Sequence, residues 1–274
     1  MKALILASGV SAYDELSPDL SVNEAATRVE EDTALWWFSY KDVLGKHGYR
    51  YMPLGAQLAL AATRAAEPFP GGSPDRSLWV ATSTYGPAIH EIFNTMSFDS
   101  GPESIGPATA PYFSANLLGA RVAEEYNCQA GACMFSDSVA ASFHALEAAI
   151  VSLDRGRGGE ALVVAAEAPT ENIKTQRGGG QFGAALLLAN PYENNHESEN
   201  TSMLTIECLG AIQSESTEVD FRIGNRVFTY SNASCIMRLI AWANSYRKAF
   251  EAQVRLRRQN LVIALHPRQD KETS

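Results

Sequence analysis

Four cysteines, Cys128, Cys133, Cys208 and Cys235, supply the thiols of the chain. No pair has the C-x-x-C spacing of a metal knuckle, and four irregularly spaced cysteines are too few for a disulfide framework. We therefore expect reduced thiols, no metal site and no bound cofactor. Cys133, which follows a Gly-Ala pair, is the candidate nucleophile among them. The simpler interpretation of Cys133 is a small buried core thiol.

Two histidines and a glycine run are the other residues whose types suggest chemistry. His144 lies on a less apolar face of a predicted helix, and His266 follows a predicted strand. Isolated histidines in such places are more often packing or interface residues than catalysts. The run GGGQFG at residues 178–183 lacks the Lys and Ser/Thr of a phosphate-binding loop and leads into a strand, so it predicts a tight turn.

The overall charge excludes several classes of partner. The 274 residues carry a formal net charge of −9, whereas nucleic acids and anionic membrane surfaces require clustered Lys and Arg. One basic cluster, Arg255, Arg257 and Arg258, has the pattern of a solvated helix face. The N-terminal residues indicate a first strand rather than a signal peptide, and no apolar segment is long enough to span a membrane, so we expect a cytoplasmic protein.

Apolar runs alternate with helical patterns along the chain, which indicates an α/β fold. Strands are predicted at residues 3–7, 78–83, 133–136, 162–166 and 184–189. Helices are predicted at residues 56–66, 88–97, 114–126 and 139–153. The runs ALVVAA and AALLLA show no polar alternation, so the predicted sheet is covered by helices on both faces.

The fourth predicted helix has the clearest pattern. Phe143, Leu146, Ile150 and Leu153 recur at helical spacing, and Gly156 follows as a stop signal. The helix begins directly after a buried strand. Such a junction leaves unpaired N–H groups at the helix N-terminus, where an anion or a polarised carbonyl is favoured.

The remaining residues predict loops and a C-terminal unit. Residues 11–32 and 190–202 have loop composition, and the first segment has room for a short helix. From residue 214 onward, a strand at 226–230, a helix at 232–253 and a strand at 261–265 predict a β-α-β unit. We therefore divide the chain into a domain of residues 1–213 and a C-terminal unit of residues 214–274.

Several ordered segments between residues 77 and 188 resemble the N-terminal half of β-ketoacyl synthases. The segment LWVATSTYG is similar to the family's apolar strand with a Gly-containing turn, and the pair Gly101-Pro102 is similar to its Gly-Pro pair. The segment NLLGARVA resembles the pattern Asn-x-x-x-Gly-x-Ile/Val-Ala. The segments VAASFHALEAAIVSLDRG, ALVVAAEA and GGGQFGAALLLAN resemble the nucleophile helix, the next strand and a late Gly-rich turn. The resemblance implies a thiolase-like fold, complete in its N-terminal half and reduced in its C-terminal half.

At the nucleophile position implied by the resemblance, the catalytic cysteine is missing. Counting without gaps from Asn116, and counting backwards from Glu167 in the family's Gly-Gly-x-Glu motif, both lead to Val139. An isopropyl side chain can neither ionise nor form a thioester. The histidine motifs of the family's C-terminal half also have no match. The resemblance thus implies no catalytic residue and a chain that is inactive by itself.

A ketosynthase-like chain without a nucleophile resembles the chain-length factors of type II polyketide synthases, including the truncated ones of Gram-negative polyketide and aryl-polyene pathways. The resemblance implies two partners. One is an active ketosynthase, with which the chain forms a heterodimer, and the other is an acyl carrier protein with a phosphopantetheine-bound chain. The chain-length factor walls the tunnel in which the polyketide grows, and so sets its length.

The same resemblance assigns interface and gate residues. The strand before the nucleophile pairs with its counterpart across a pseudo-twofold axis, and its residues here are Ala132, Cys133, Met134, Phe135, Ser136, Asp137 and Ser138. The gap-free match places the gate near Pro87, His90 and Asn94, with Phe93 as a neighbour if the register slips by one. His90 and Asn94 are equally consistent with ordinary polar helix positions.

Two other functions remain open from the sequence. The first is an active condensing or acyl-transferring enzyme that uses Cys133, which requires a six-residue shift and breaks the match at both Asn116 and Glu167. The second is a structural scaffold subunit for carrier-protein docking, with no influence on the product.

Overall fold

The computed structural model describes residues 1–11, 16–30, 38–46, 48–66, 72–114, 116–136, 140–173, 180–192, 202–211, 220–228, 235–256 and 259–267. Its strands are β1 (Lys2–Val10), β2 (Arg76–Ala81), β3 (Ala132–Phe135), β4 (Glu160–Glu167), β5 (Phe182–Ala189), β6 (Ser202–Ala211), β7 (Asp220–Ile223), β8 (Arg226–Phe228), β9 (Phe250–Leu256) and β10 (Gln259–Pro267). Its helices are α1 (Val22–Glu30), α2 (Tyr40–Val43), α3 (Leu54–Ala65), α4 (Tyr85–Ser100), α5 (Leu117–Glu125), α6 (Ala141–Asp154) and α7 (Cys235–Ser245), with 3₁₀ turns at Pro102–Ser104 and Ala110–Phe113.

The strands form one mixed sheet in the order β3-β2-β4-β5-β1-β6-β10-β9-β7-β8. The pairs β2–β3 and β2–β4 are parallel, whereas the other pairs are antiparallel. The ring centroids of Phe143 on α6 and Phe221 on β7 are 6.4 Å apart. Because α6 also packs on β2 and β4, this helix contacts strands from both the N-terminal and the C-terminal parts of the sheet.

Helices cover both faces of the sheet, which confirms the prediction from the uninterrupted apolar strands. On one face, Val163 of β4 and Leu186 of β5 lie in a cluster with α6 and α7. On the other face, the alternate residues Val164 and Leu187 lie in a cluster with α3, α4 and α5. These four side chains have no exposed surface. Strands buried on both faces have no side free for polar residues, which explains their composition.

The C-terminal unit differs from its prediction. The helix predicted to run to residue 253 ends at Ser245, and the strand β9 begins at Phe250, with strictly alternating burial over residues 250–254. Arg247 has a φ of 52° and breaks the helix. The strands β6 and β7 were not predicted. The proposed boundary between residues 213 and 214 falls outside the described ranges and remains a prediction.

Two glycines allow α3 to approach the sheet closely. A Cβ atom on Gly183 of β5 would lie 2.6 Å from the carbonyl oxygen of Leu58. A Cβ atom on Gly9 of β1 would lie 2.3 Å from the backbone nitrogen of Ala66, just after α3. Both distances are shorter than van der Waals contact, so side chains at these positions would push α3 away from the sheet.

We predict that Gly183→Ala will destabilise the protein by about 1–3 kcal/mol, because the added methyl group overpacks a backbone contact that has no room to yield. The free energy of unfolding in urea measures the effect. Gly106→Ala is the matched control, since a Cβ at Gly106 would meet nothing within 4 Å. Equal stability of the two variants would contradict the prediction.

Candidate functional site

The strand β3 forms an open end of the sheet. The carbonyl oxygen of Gly131 accepts a hydrogen bond from Leu78 at 2.8 Å, and that of Phe135 accepts one from Thr82 at 3.0 Å. Because backbone groups alternate in direction along a strand, the N–H and C=O groups of Met134 point away from β2, toward the open edge. This edge is therefore available to pair with another strand.

The residues assigned to the interface have the exposure expected at such an edge. Ala132, Cys133 and Ser136 are exposed, and Met134 and Phe135 are half-buried. The side chain of Phe135 lies between Trp79 of β2 and His144 of α6, at ring distances of 6.4 and 6.3 Å. Asp137 and Ser138 lie outside the described residues.

The exposed position of Cys133 differs from the buried core thiol that the simpler interpretation predicted. Its side chain lies within β3, eight residues before α6 begins at Ala141. It is therefore not at the N-terminus of the helix that follows this strand, where a thiolate would be stabilised. The other thiols that the structure places, Cys128 and Cys235, are buried, and burial raises the pKa of Cys128 to about 11. The position assigned to the missing nucleophile, Val139, lies outside the described residues.

Three of the four residues assigned to the gate share one face of α4. Pro87 is half-buried, and His90 and Asn94 are exposed. Their spacing of three and four residues places them in a row along the helix. Phe98, one turn beyond Asn94, extends the row and is 91% exposed. We call Pro87, His90, Asn94 and Phe98 the α4 stripe.

Phe93, the fourth residue assigned to the gate, lies on the buried face of α4 and is 5% exposed. Its ring stacks on Phe113, with ring centroids 5.6 Å apart and ring planes within 3° of parallel. Phe113 also contacts the edge of the His90 ring at 4.5 Å, and is itself 48% exposed. Phe113 therefore joins the buried face of α4 to the α4 stripe, a role that sequence spacing alone does not indicate.

A buried carboxylate fixes the start of α4. Glu167, the last residue of β4, has no exposed surface. Its Oε1 atom accepts hydrogen bonds from the backbone N–H and the hydroxyl of Ser83 at 2.7 and 3.0 Å. Its Oε2 atom accepts them from the backbone N–H and the hydroxyl of Thr84 at 2.9 and 2.5 Å, and a longer one from Thr82 at 3.4 Å. Burial raises the pKa of this carboxyl, against the effect of the hydrogen bonds from Thr84 and Ser83.

The polar residues on the described parts of the chain do not form an obvious metal site. Across those parts, no three His, Cys, Asp or Glu side chains converge. His266, on β10, is exposed.

No helix within the ranges that the structure covers is long and apolar enough to cross a bilayer.

Comparison with known proteins places this arrangement in a known fold. No protein-family model matches the sequence, and no curated protein matches it. Among solved structures, the ishigamide ketosynthase/chain length factor has a TM-score of 0.64 at 12% identity, over 98% of this chain and 100% of the other. The ketosynthase ApeO in complex with its chain length factor ApeC, from Xenorhabdus doucetiae, has a TM-score of 0.54 at 13% identity, over 96% and 99%.

A third structure contains a type II polyketide synthase acyl-carrier protein in complex with its ketosynthase bound to the hexaketide. Its TM-score is 0.59 at 16% identity, over 77% of this chain and 70% of the other. The three similarities confirm that the chain has the thiolase-like α/β fold of ketosynthase structures. In the first two, the similarity extends over nearly the whole of both chains, the C-terminal strands included.

Proposed function

We propose that this chain is a non-catalytic, chain-length-factor-like subunit that pairs with an active ketosynthase in type II polyketide biosynthesis, of aromatic or aryl-polyene type. The observation that carries the proposal is Val139, the residue that the gap-free match to the family puts at the nucleophile position, in a chain with a ketosynthase fold. A ketosynthase fold without a thiolate at the nucleophile position has no group there that can accept an acyl chain. This subunit must then contribute to polyketide synthesis through its surface and its shape.

The open edge of β3 supports a partner of the same fold. The strand has the sequence ACMF, without a charge, and two of its four residues are half-buried. Natural proteins usually protect such an edge with charges or a covering element, or use it for pairing. We infer that a ketosynthase strand pairs here. An obligate interface of this kind buries more than roughly 2,000 Å².

The α4 stripe supports a role in setting product length. His90 and Asn94 are exposed in the chain by itself, and Phe98 and Phe113 add apolar surface beside them. Exposed aromatic side chains on one helix face are typical of a surface that a partner covers. We propose that the stripe lines the far end of the partner's acyl tunnel. The acyl chain delivered by an acyl carrier protein would stop growing where these side chains fill the tunnel, because close-packed tunnel walls do not yield.

We predict that this protein alone forms no acyl adduct with an acyl-carrier thioester, because Val139 has no nucleophilic atom. Intact-protein mass spectrometry measures the adduct, and Cys133→Ser is the control variant. An adduct on the wild type that is absent from Cys133→Ser would favour the alternative function, an acyl-transferring enzyme that uses Cys133.

We predict that Met134→Pro weakens the heterodimer about tenfold or more, because proline removes the outward N–H of residue 134 and the inter-chain hydrogen bond that it would donate. Proline is tolerated in an edge strand where the N–H faces solvent, so the separate subunit should still fold. Met134→Val keeps the N–H and is the matched control. Titration calorimetry with the co-encoded ketosynthase gives the affinities. Equal affinity for both variants would mean that β3 does not pair with the partner.

We predict that His90→Phe and Asn94→Phe each shorten the polyketide made by the heterodimer, because a larger side chain fills tunnel volume. Mass spectrometry of the products gives their length distribution. Thr95→Phe is the control, since Thr95 is exposed on α4 but lies about 100° around the helix from Asn94. Unchanged products from both stripe variants, with normal heterodimer yield, would remove the α4 stripe from the tunnel.

A further inference from the structure

We infer that Glu167 is a positioning residue for chain length: it holds the start of α4 on the end of β4 and thereby sets where the α4 stripe lies. The inference rests on the function proposed above. Glu167 touches neither the stripe nor a partner, and it acts through the three residues that connect β2 to α4.

The side-chain hydrogen bonds of Glu167 all go to residues 82–84, which connect β2 to α4. Both oxygens accept a backbone N–H and a hydroxyl from Ser83 and Thr84, the two residues that precede α4. The hydroxyl of Thr84 also accepts a hydrogen bond from the backbone N–H of Ala168 at 3.2 Å. The connection therefore has one orientation relative to β4.

A second contact supports the same function about two turns further along α4. The hydroxyl of Thr170, three residues after Glu167, donates a hydrogen bond to Glu91 of α4. The first half of α4 is thus held twice by the segment that follows β4. Asn94 is nine residues from the helix start, or about 14 Å, so a tilt of only ~5° at the start would move it by about 1 Å. Such a displacement is enough to change the fit of a chain in a packed tunnel.

The opposite end of β4 provides a matched control. There, Glu160 accepts hydrogen bonds from Nε and Nη2 of Arg76 at 2.9 and 2.7 Å. Arg76 is the first residue of β2, and its side chain is buried. Glu160 therefore ties β4 to β2 as Glu167 does, but at the end of the strands that is remote from α4. Loss of either contact loosens the β2–β4 pair, and only loss of Glu167 releases the helix.

The experiment compares Glu167→Gln with Glu160→Gln in the heterodimer with the co-encoded ketosynthase. The glutamine amide presents N–H groups to the N–H donors of Ser83 and Thr84, so we expect amide hydrogen exchange at residues 83–90 to become about tenfold faster or more. We expect the product-length distribution to shift or broaden in Glu167→Gln and to stay unchanged in Glu160→Gln. The pair Thr84→Ser and Thr84→Val provides the same test if Glu167→Gln fails to fold, and Thr84→Ser should keep the wild-type products.

The outcomes separate this inference from the proposed function. If His90→Phe and Asn94→Phe change product length while Glu167→Gln and Thr84→Val do not, the inference is wrong and the gate stands. If the stripe variants also have no effect, the gate itself is wrong. An equal shift in Glu160→Gln would mean that general loosening of the sheet, rather than the position of α4, determines product length.

Discussion

Burial of β4 and β5 on both faces constrains the rest of this structure. Each strand carries eight residues, and nearly all of them lack solvent contact. Two helix layers must therefore be present at the same time, and each must approach closely enough to exclude water. Gly9 and Gly183 provide that closeness on the α3 side, and both strands contain small alanines beside their larger apolar residues. The helix that bears the α4 stripe belongs to the same layer as α3, so its place depends on this packing.

Two hydrogen-bonded polar contacts lie at the two ends of the β2–β4 strand pair. Arg76 and Glu160 meet at one end of the β2–β4 pair, and Glu167 meets Ser83 and Thr84 at the other. Burial of a charged group is costly unless it is paired or hydrogen-bonded. Each of these groups therefore specifies one arrangement of the chain around it. The apolar strands determine that the sheet forms, and the polar ends determine how its connections leave it.

Much of the N-terminal half could be predicted because its signals are local. The face formed by Phe143, Leu146 and Ile150 is buried as predicted, and Gly156 follows α6 with a φ of 66°. A capping box at Ser21 and Glu24, whose side chains bond each other's backbone N–H groups, was readable from the sequence but was not used to place α1. The strand β9 was mispredicted as helix because its alternating pattern begins only a few residues after α7. The left-handed residue between them is Arg247, and no glycine marks the end of the helix in the sequence. The environment of Glu167 and the contact of Phe113 with His90 depend on residues distant in sequence, so no local pattern indicates them.

The two ends of the sheet are unequal. At one end, β3 offers four uncharged residues and an open ladder of backbone groups. At the other, the described part of β8 has three residues, and the guanidinium of Arg226 lies 4.9 Å from the centre of the Phe228 ring. Short strands and charged side chains discourage further pairing. A sheet that could pair at both edges would add further copies without limit and form filaments. A sheet that can pair at only one edge binds one partner, and assembly then stops. Pairing through β3 alone, as proposed above, would thus join two chains and no more.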